Sequence, residues 1–157
     1  MFRIPAHTLD NVPEQSQDTL AGLAKKVGKV LNIHSGMAHS PVVLAAHSGI
    51  GDAIAGSGTL DARTRETIAL AVANEDGCDY CESAHTLSGK AAGLSLDQTL
   101  AIRGDTIDFD DKLAAIAAVV REAAANTGTV SGTAPSLVDT AEALCSGPKR
   151  GNPSRAS

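Results

Sequence analysis

Apolar residues recur every three to four positions along most of the chain, the period of an amphipathic α-helix. Leu20, Leu23, Ala24, Val27, Val30 and Leu31, with Lys25, Lys26 and Lys29 on the opposite face, predict a first helix starting near Ser16. Ser40-Pro41 supplies a cap and an N1 proline for a second helix to about Ala55, and Gly56-Ser57-Gly58 then breaks the chain. Asp61 caps a third, from Ala62 to about Asn74, whose run Ile68-Ala69-Leu70-Ala71-Val72-Ala73 is apolar on every side and so predicts burial. Gly77 ends it, and the next helix runs from about Cys78 to Ala92, stopped by Gly93. Ser95-Leu96-Asp97-Gln98 is a capping-box pattern for a short helix to about Ile102. Asp108 caps a long one to about Ala125, its core face carrying Leu113, Ile116, Ala117 and Val120. Thr133-Ala134-Pro135 starts a last helix to about Leu144, followed by a tail-like Pro/Ser/Arg segment. No internal repeat of fixed period is present.

Composition strengthens this reading. Alanine, the best helix former, dominates, whereas the aromatic residues that strands favour are nearly absent: no Trp, one Tyr and two Phe. The expectation is an all-α, single-domain bundle of about six to seven helices, with an N-terminal extension over 1–15, the domain over 16–146 and a disordered tail over 147–157. A length of 157 residues suffices for a core without staples. The net charge of −5 and the lack of a Lys/Arg stripe argue against nucleic-acid binding. Met1-Phe2-Arg3-Ile4-Pro5 has no signal-peptide core, and no apolar run approaches membrane-spanning length. A soluble, cytoplasmic protein is expected.

In a reducing compartment, three cysteines with two at Cys-x-x-Cys spacing indicate redox chemistry or metal binding rather than a disulfide framework. Cys78 and Cys81 share a helical face within disulfide reach, and His85 follows Cys81 by one turn. Only about 3% of an ordinary thiol is ionised at pH 7, and the thiolate is the nucleophile. The first turn of a helix favours an anion. His85 can take the Cys81 proton, and Glu66, on a buried helix, would be a base near neutrality, so cysteine, histidine and carboxylate form a candidate proton relay. Other readings stay open. Cys78, Cys81 and His85 could be zinc ligands, with Glu82 or Cys145 as the fourth. The cysteines could be idle, and Glu66, after Arg63 and Arg65, an ordinary surface charge. His7, His34, His39 and His47 lack ligand spacing and read as structural. No nucleotide-binding motif appears, and no cofactor is expected.

Glu66, then Cys78 twelve residues on, Cys81 and His85, on two consecutive helices, resemble the carboxymuconolactone decarboxylase superfamily, and more closely its alkylhydroperoxidase (AhpD-like) branch. The likeness covers roughly residues 16–129, including Ser40-Pro41-Val42-Val43-Leu44 and Leu60 to Glu66. It implies an all-α homo-oligomer, commonly built of trimers. It also implies a peroxidase acting on organic hydroperoxides or hydrogen peroxide, with Cys81 peroxidatic, Cys78 resolving, and His85 and Glu66 as the relay. The reductant would be a lipoyl- or thioredoxin-like dithiol protein. Tyr80 stands where alkylhydroperoxidase has a histidine, and after Thr129 the usual final helix is shortened or replaced. A redox sensor that does not turn over is the alternative, and a zinc-stabilised helical binding domain is a third.

Overall fold

A computed structural model describes residues 4–131, in which seven helices and no strand occur. The chain divides into two compact units, Met1–Gly58 and Thr59–Ser157. The expected helix over 133–144, Cys145 and the tail lie outside the described residues.

The first unit holds α1 (Glu14–Val27), α2 (Asn32–Met37) and α3 (Pro41–Ser57). Here α1 begins two residues before Ser16, the expected start. Ser16 is fully buried, and its hydroxyl donates to the Ala38 carbonyl at 2.9 Å, so it is a tether and not a cap. Gly28, at φ 83°, closes α1 in a left-handed turn that glycine adopts without penalty. Val30 and Leu31 therefore fall beyond the helix, although Val30 still packs on the cluster of Leu20, Ala38 and Leu44. The sequence pattern missed α2, because six residues are too few to show an apolar stripe.

Histidines tie this unit together. The His39 Nε2–H donates to the Pro5 carbonyl at 2.7 Å, His7 Nε2 lies 3.2 Å from His39 Nδ1, and the Ser35 hydroxyl donates to the His7 carbonyl at 2.7 Å. His34 is buried against the ring of His47, with 5.4 Å between centroids. Burial first, and the neighbouring His47 second, push His34 below the ordinary histidine value of 6.5. Between the folded and unfolded values the unfolded chain holds more protons, so stability rises with pH. The contribution is complete above 6.5 and is lost as pH falls through the folded value. Urea unfolding followed in steps below about pH 6.5 should show this loss, with a flatter dependence in His34→Gln.

The second unit holds α4 (Ala62–Glu75), α5 (Asp79–Ala91), α6 (Leu96–Arg103) and α7 (Asp111–Ala125). Asp61 caps α4 as expected, accepting from the Thr64 N–H at 2.8 Å. Leu70 and Ala71 of α4, Leu94, Ile102 and Ala117 form the core, with Ile107, Phe109 and Val120 against it. The burial of α4 is one-sided, contrary to the all-round apolar pattern. Thr64, Thr67, Leu70, Ala71 and Ala73 are buried, whereas Ile68, Ala69 and Val72 are only half-buried. Small alanines suit a close neighbour but do not require one on every side. At Gly89, a Cβ would lie 3.2 Å from Thr99 Cγ2 and 3.3 Å from Leu94 Cδ1, so the missing side chain permits the close approach of α5. Ser95 and Gln98 form the expected capping box on α6. Asp110, not Asp108, caps α7 by accepting from the Leu113 N–H at 3.1 Å, while Phe109 between the two packs on the core.

Candidate active site

The junction of α4 and α5 builds the site. After Glu75, Gly77 at φ 62° reverses the chain, and the Cys78 N–H donates back to the Ala73 carbonyl at 2.9 Å. This turn makes Cys78 the N-cap of α5, so that the helix starts at Asp79, one residue after the expected start. Its sulfur accepts from the Cys81 backbone N–H at 3.2 Å, and its carbonyl accepts from the Glu82 N–H at 2.9 Å. Cys78 and Cys81 are joined as a disulfide with 5.3 Å between Cα atoms. Both are half-buried. On reduction, the Cys78 sulfur would lie at the positive end of the helix, where free N–H groups stabilise a thiolate.

His85 and Glu66 come together across the two helices: His85 Nδ1 lies 2.9 Å from Glu66 Oε2. A carboxylate can only accept, so Nδ1 carries the proton in this contact and Nε2 is left for another partner. The His85 side chain is 39% accessible and that of Glu66 21%. Glu66 is thus neither sealed in the core nor a free surface charge, but a partner of His85. The structure brings Glu66 and His85 together between the packed bodies of α4 and α5, and pairs Cys78 with Cys81 at the start of α5, with His85 one turn beyond Cys81.

Beneath α5 lies a polar cluster that sequence reasoning did not find. Glu82, weighed as a zinc ligand, is buried and has both oxygens engaged: Asn74 Nδ2 donates to Oε1 at 3.0 Å, and Arg103 pairs with Oε2. The hydrogen bond from Asn74 is the largest cause holding the Glu82 carboxyl below the usual range. Burial opposes it, and Arg103 and Arg121 reinforce it. Arg121 of α7, also buried, donates to Asn74 Oδ1 at 2.9 Å and to the carbonyls of Ile102 and Arg103 at the end of α6. Its Nε lies 3.3 Å from Asp105. These oxygens satisfy donors and cations of the protein itself, which takes Glu82 out of the proposed zinc set. Among the described residues no group of three or more His, Cys, Asp or Glu is gathered to hold a metal. Sequence alone offered little signal for the cluster, since its members come from four helices and each looks like a surface charge or amide. Tyr80, between the cysteines, is 45% exposed.

No helix among the described residues is long and apolar enough to cross a membrane. A Haemophilus influenzae protein described as uncharacterized is 51% identical to this chain over 45 residues, which are 29% of this chain and 40% of that protein. The chain thus spans about two fifths of that relative's length. The model of the carboxymuconolactone decarboxylase family matches residues 41–126, which run from the start of α3 to the end of α7 and include Glu66, Cys78, Cys81 and His85. The match covers more than half of the 157 residues, and on that ground the chain belongs to the carboxymuconolactone decarboxylase family.

Proposed function

We propose that the protein is a dithiol peroxidase that reduces organic hydroperoxides or hydrogen peroxide. The observation that carries this reading is the His85–Glu66 pair, 2.9 Å apart, with His85 one turn beyond Cys81 on the helix whose start holds the Cys78–Cys81 disulfide. In the reduced enzyme, His85 Nε2 takes the Cys81 proton, and the thiolate attacks the distal oxygen of ROOH. The O–O bond breaks, the sulfur is oxidised to a sulfenic acid, and the leaving alkoxide receives the proton as ROH. Cys78 then attacks the sulfenic sulfur, releasing water and closing the disulfide. Glu66 holds the His85 tautomer and stabilises the imidazolium in between. A lipoyl- or thioredoxin-like dithiol protein returns the pair to the reduced form by thiol exchange.

A cytoplasmic homo-oligomer is part of the proposal. Exposed apolar residues on α3 support it, with Val42 77% and Ile50 63% exposed, since a surface of this kind is suited to burial against another subunit. The test is steady-state consumption of tert-butyl hydroperoxide by the full chain with a small dithiol as reductant. Turnover supports the peroxidase, whereas a disulfide that forms once without turnover points to the sensor. Glu66→Gln should lower kcat by about ten- to a hundredfold, while the far-ultraviolet circular dichroism stays that of the wild type. Full activity in that variant would remove the relay from the mechanism.

A further inference from the structure

The cluster beneath α5 is not required for the proton transfers above, yet it fixes charges beside the dithiol. Glu82 follows Cys81 in the first turns of α5, so its carboxylate lies on the order of 10 Å from the sulfurs. It cannot swing away: Asn74 and Arg103 hold its two oxygens, and the residue is 8% exposed. Arg103 faces it from α6, and its side chain is 33% accessible. Arg121 approaches from α7 but turns toward Asn74, Asp105 and the carbonyls that end α6.

We propose that Glu82 and Arg103 set the reduction potential of the Cys78–Cys81 couple, the carboxylate holding it low and the guanidinium opposing that effect. The inference rests on the reading that this pair cycles between disulfide and dithiol, but not on a hydroperoxide being the oxidant. The disulfide takes up two electrons and two protons to give two thiols, and one thiol then loses a proton to become the thiolate. Whatever stabilises the thiolate stabilises the reduced form and makes the disulfide a stronger oxidant. A negative charge nearby does the reverse. At an effective dielectric near 20, a unit charge about 10 Å away changes the thiolate population by roughly tenfold. Water at the half-buried sulfurs reduces this to about three- to tenfold. Neither residue touches the reacting atoms, so both act as positioned charges rather than catalytic groups.

The signs separate a field effect from a structural one. Glu82→Gln removes the negative charge and, at raised pH where the thiolate is populated, should shift the equilibrium with a dithiothreitol buffer about three- to tenfold toward the dithiol, or roughly 15–30 mV more oxidising. Arg103→Gln should shift it by a similar factor toward the disulfide. Arg103→Lys keeps the charge and should match the wild type. The shifts should grow as pH rises and the thiolate becomes populated. Asp79, in the first turn of α5, and the His85–Glu66 pair are unchanged in every variant, so their influence cancels. The experiment equilibrates the full-length protein in dithiothreitol redox buffers at neutral and raised pH and reads the thiol fraction by alkylation and mass spectrometry. Circular dichroism confirms the fold. Opposite shifts with a silent Arg103→Lys support the proposal. Shifts of one sign, no shift, or a Lys variant that moves as far as the Gln variant overturn it. If Glu82→Gln does not fold, the two Arg103 variants decide alone, because that side chain is partly exposed. A wild-type protein with no redox transition would sink the cycling dithiol itself, whereas opposite shifts without hydroperoxide turnover would sink only the peroxidase.

Discussion

Replacing Cys81 by serine is expected to reduce hydroperoxide turnover to the uncatalysed background. A serine hydroxyl is not ionised near neutral pH and has no accessible sulfenic-acid chemistry, so the attack on the distal oxygen loses its nucleophile. Cys78→Ser should behave differently. It keeps the nucleophile, allows a single oxidation to a sulfenic acid, and then stalls because no second sulfur displaces the hydroxyl. A dimedone adduct on Cys81 in the Cys78 variant, with none in the Cys81 variant, would assign the two roles. An adduct on Cys78 instead would exchange them. Full turnover in Cys81→Ser would end the dithiol mechanism.

The largest effect on stability should come from Arg121→Met. The guanidinium is 10% accessible and serves Asn74 Oδ1 and two carbonyls at the end of α6, with Asp105 beside its Nε. Methionine keeps much of the side-chain length but leaves the buried Ile102 carbonyl, and the part-buried Asn74 Oδ1 and Arg103 carbonyl, without this donor. Breaking a buried polar cluster by removing one partner costs about 3 kcal/mol or more. The Asp105 carboxylate is 67% accessible and regains water, so it adds little to the cost. For a chain of 157 residues, this lowers Tm by roughly 6–12 °C. Arg121→Lys should recover less than half of the loss, because an ammonium cannot span acceptors on three sides. Thermal unfolding by calorimetry would decide it, and a fall of only a degree or two would mean that water replaces the lost donor.

Much of the helix layout was legible in the chain because caps and stops act locally. Asp61, the Ser95–Gln98 box, Gly77 and Pro41 all fall at helix ends. The misreadings also have local causes. Gly28 ends α1 through its backbone conformation, which an apolar periodicity extending to Leu31 conceals. α2 has fewer than two turns and no readable stripe. Asp108 has the chemistry of a cap, but Phe109 after it packs on the core and Asp110 takes the cap position.

The sequence by itself determined the all-helical class, the likeness to the family and the closeness of Cys78, Cys81 and His85, because residues three and four apart at one helix are neighbours whatever surrounds them. It named Glu66 as a candidate but could not choose between a base and a surface charge. Only the tertiary structure placed its carboxylate on His85, nineteen residues away and on another helix. It also committed Glu82 to Asn74 and Arg103 and buried Arg121 among α4, α6 and α7. The physical reason is the same in each case. A charged side chain takes its character from the partners that close packing supplies, and residues far apart in the chain become partners only when their helices pack together.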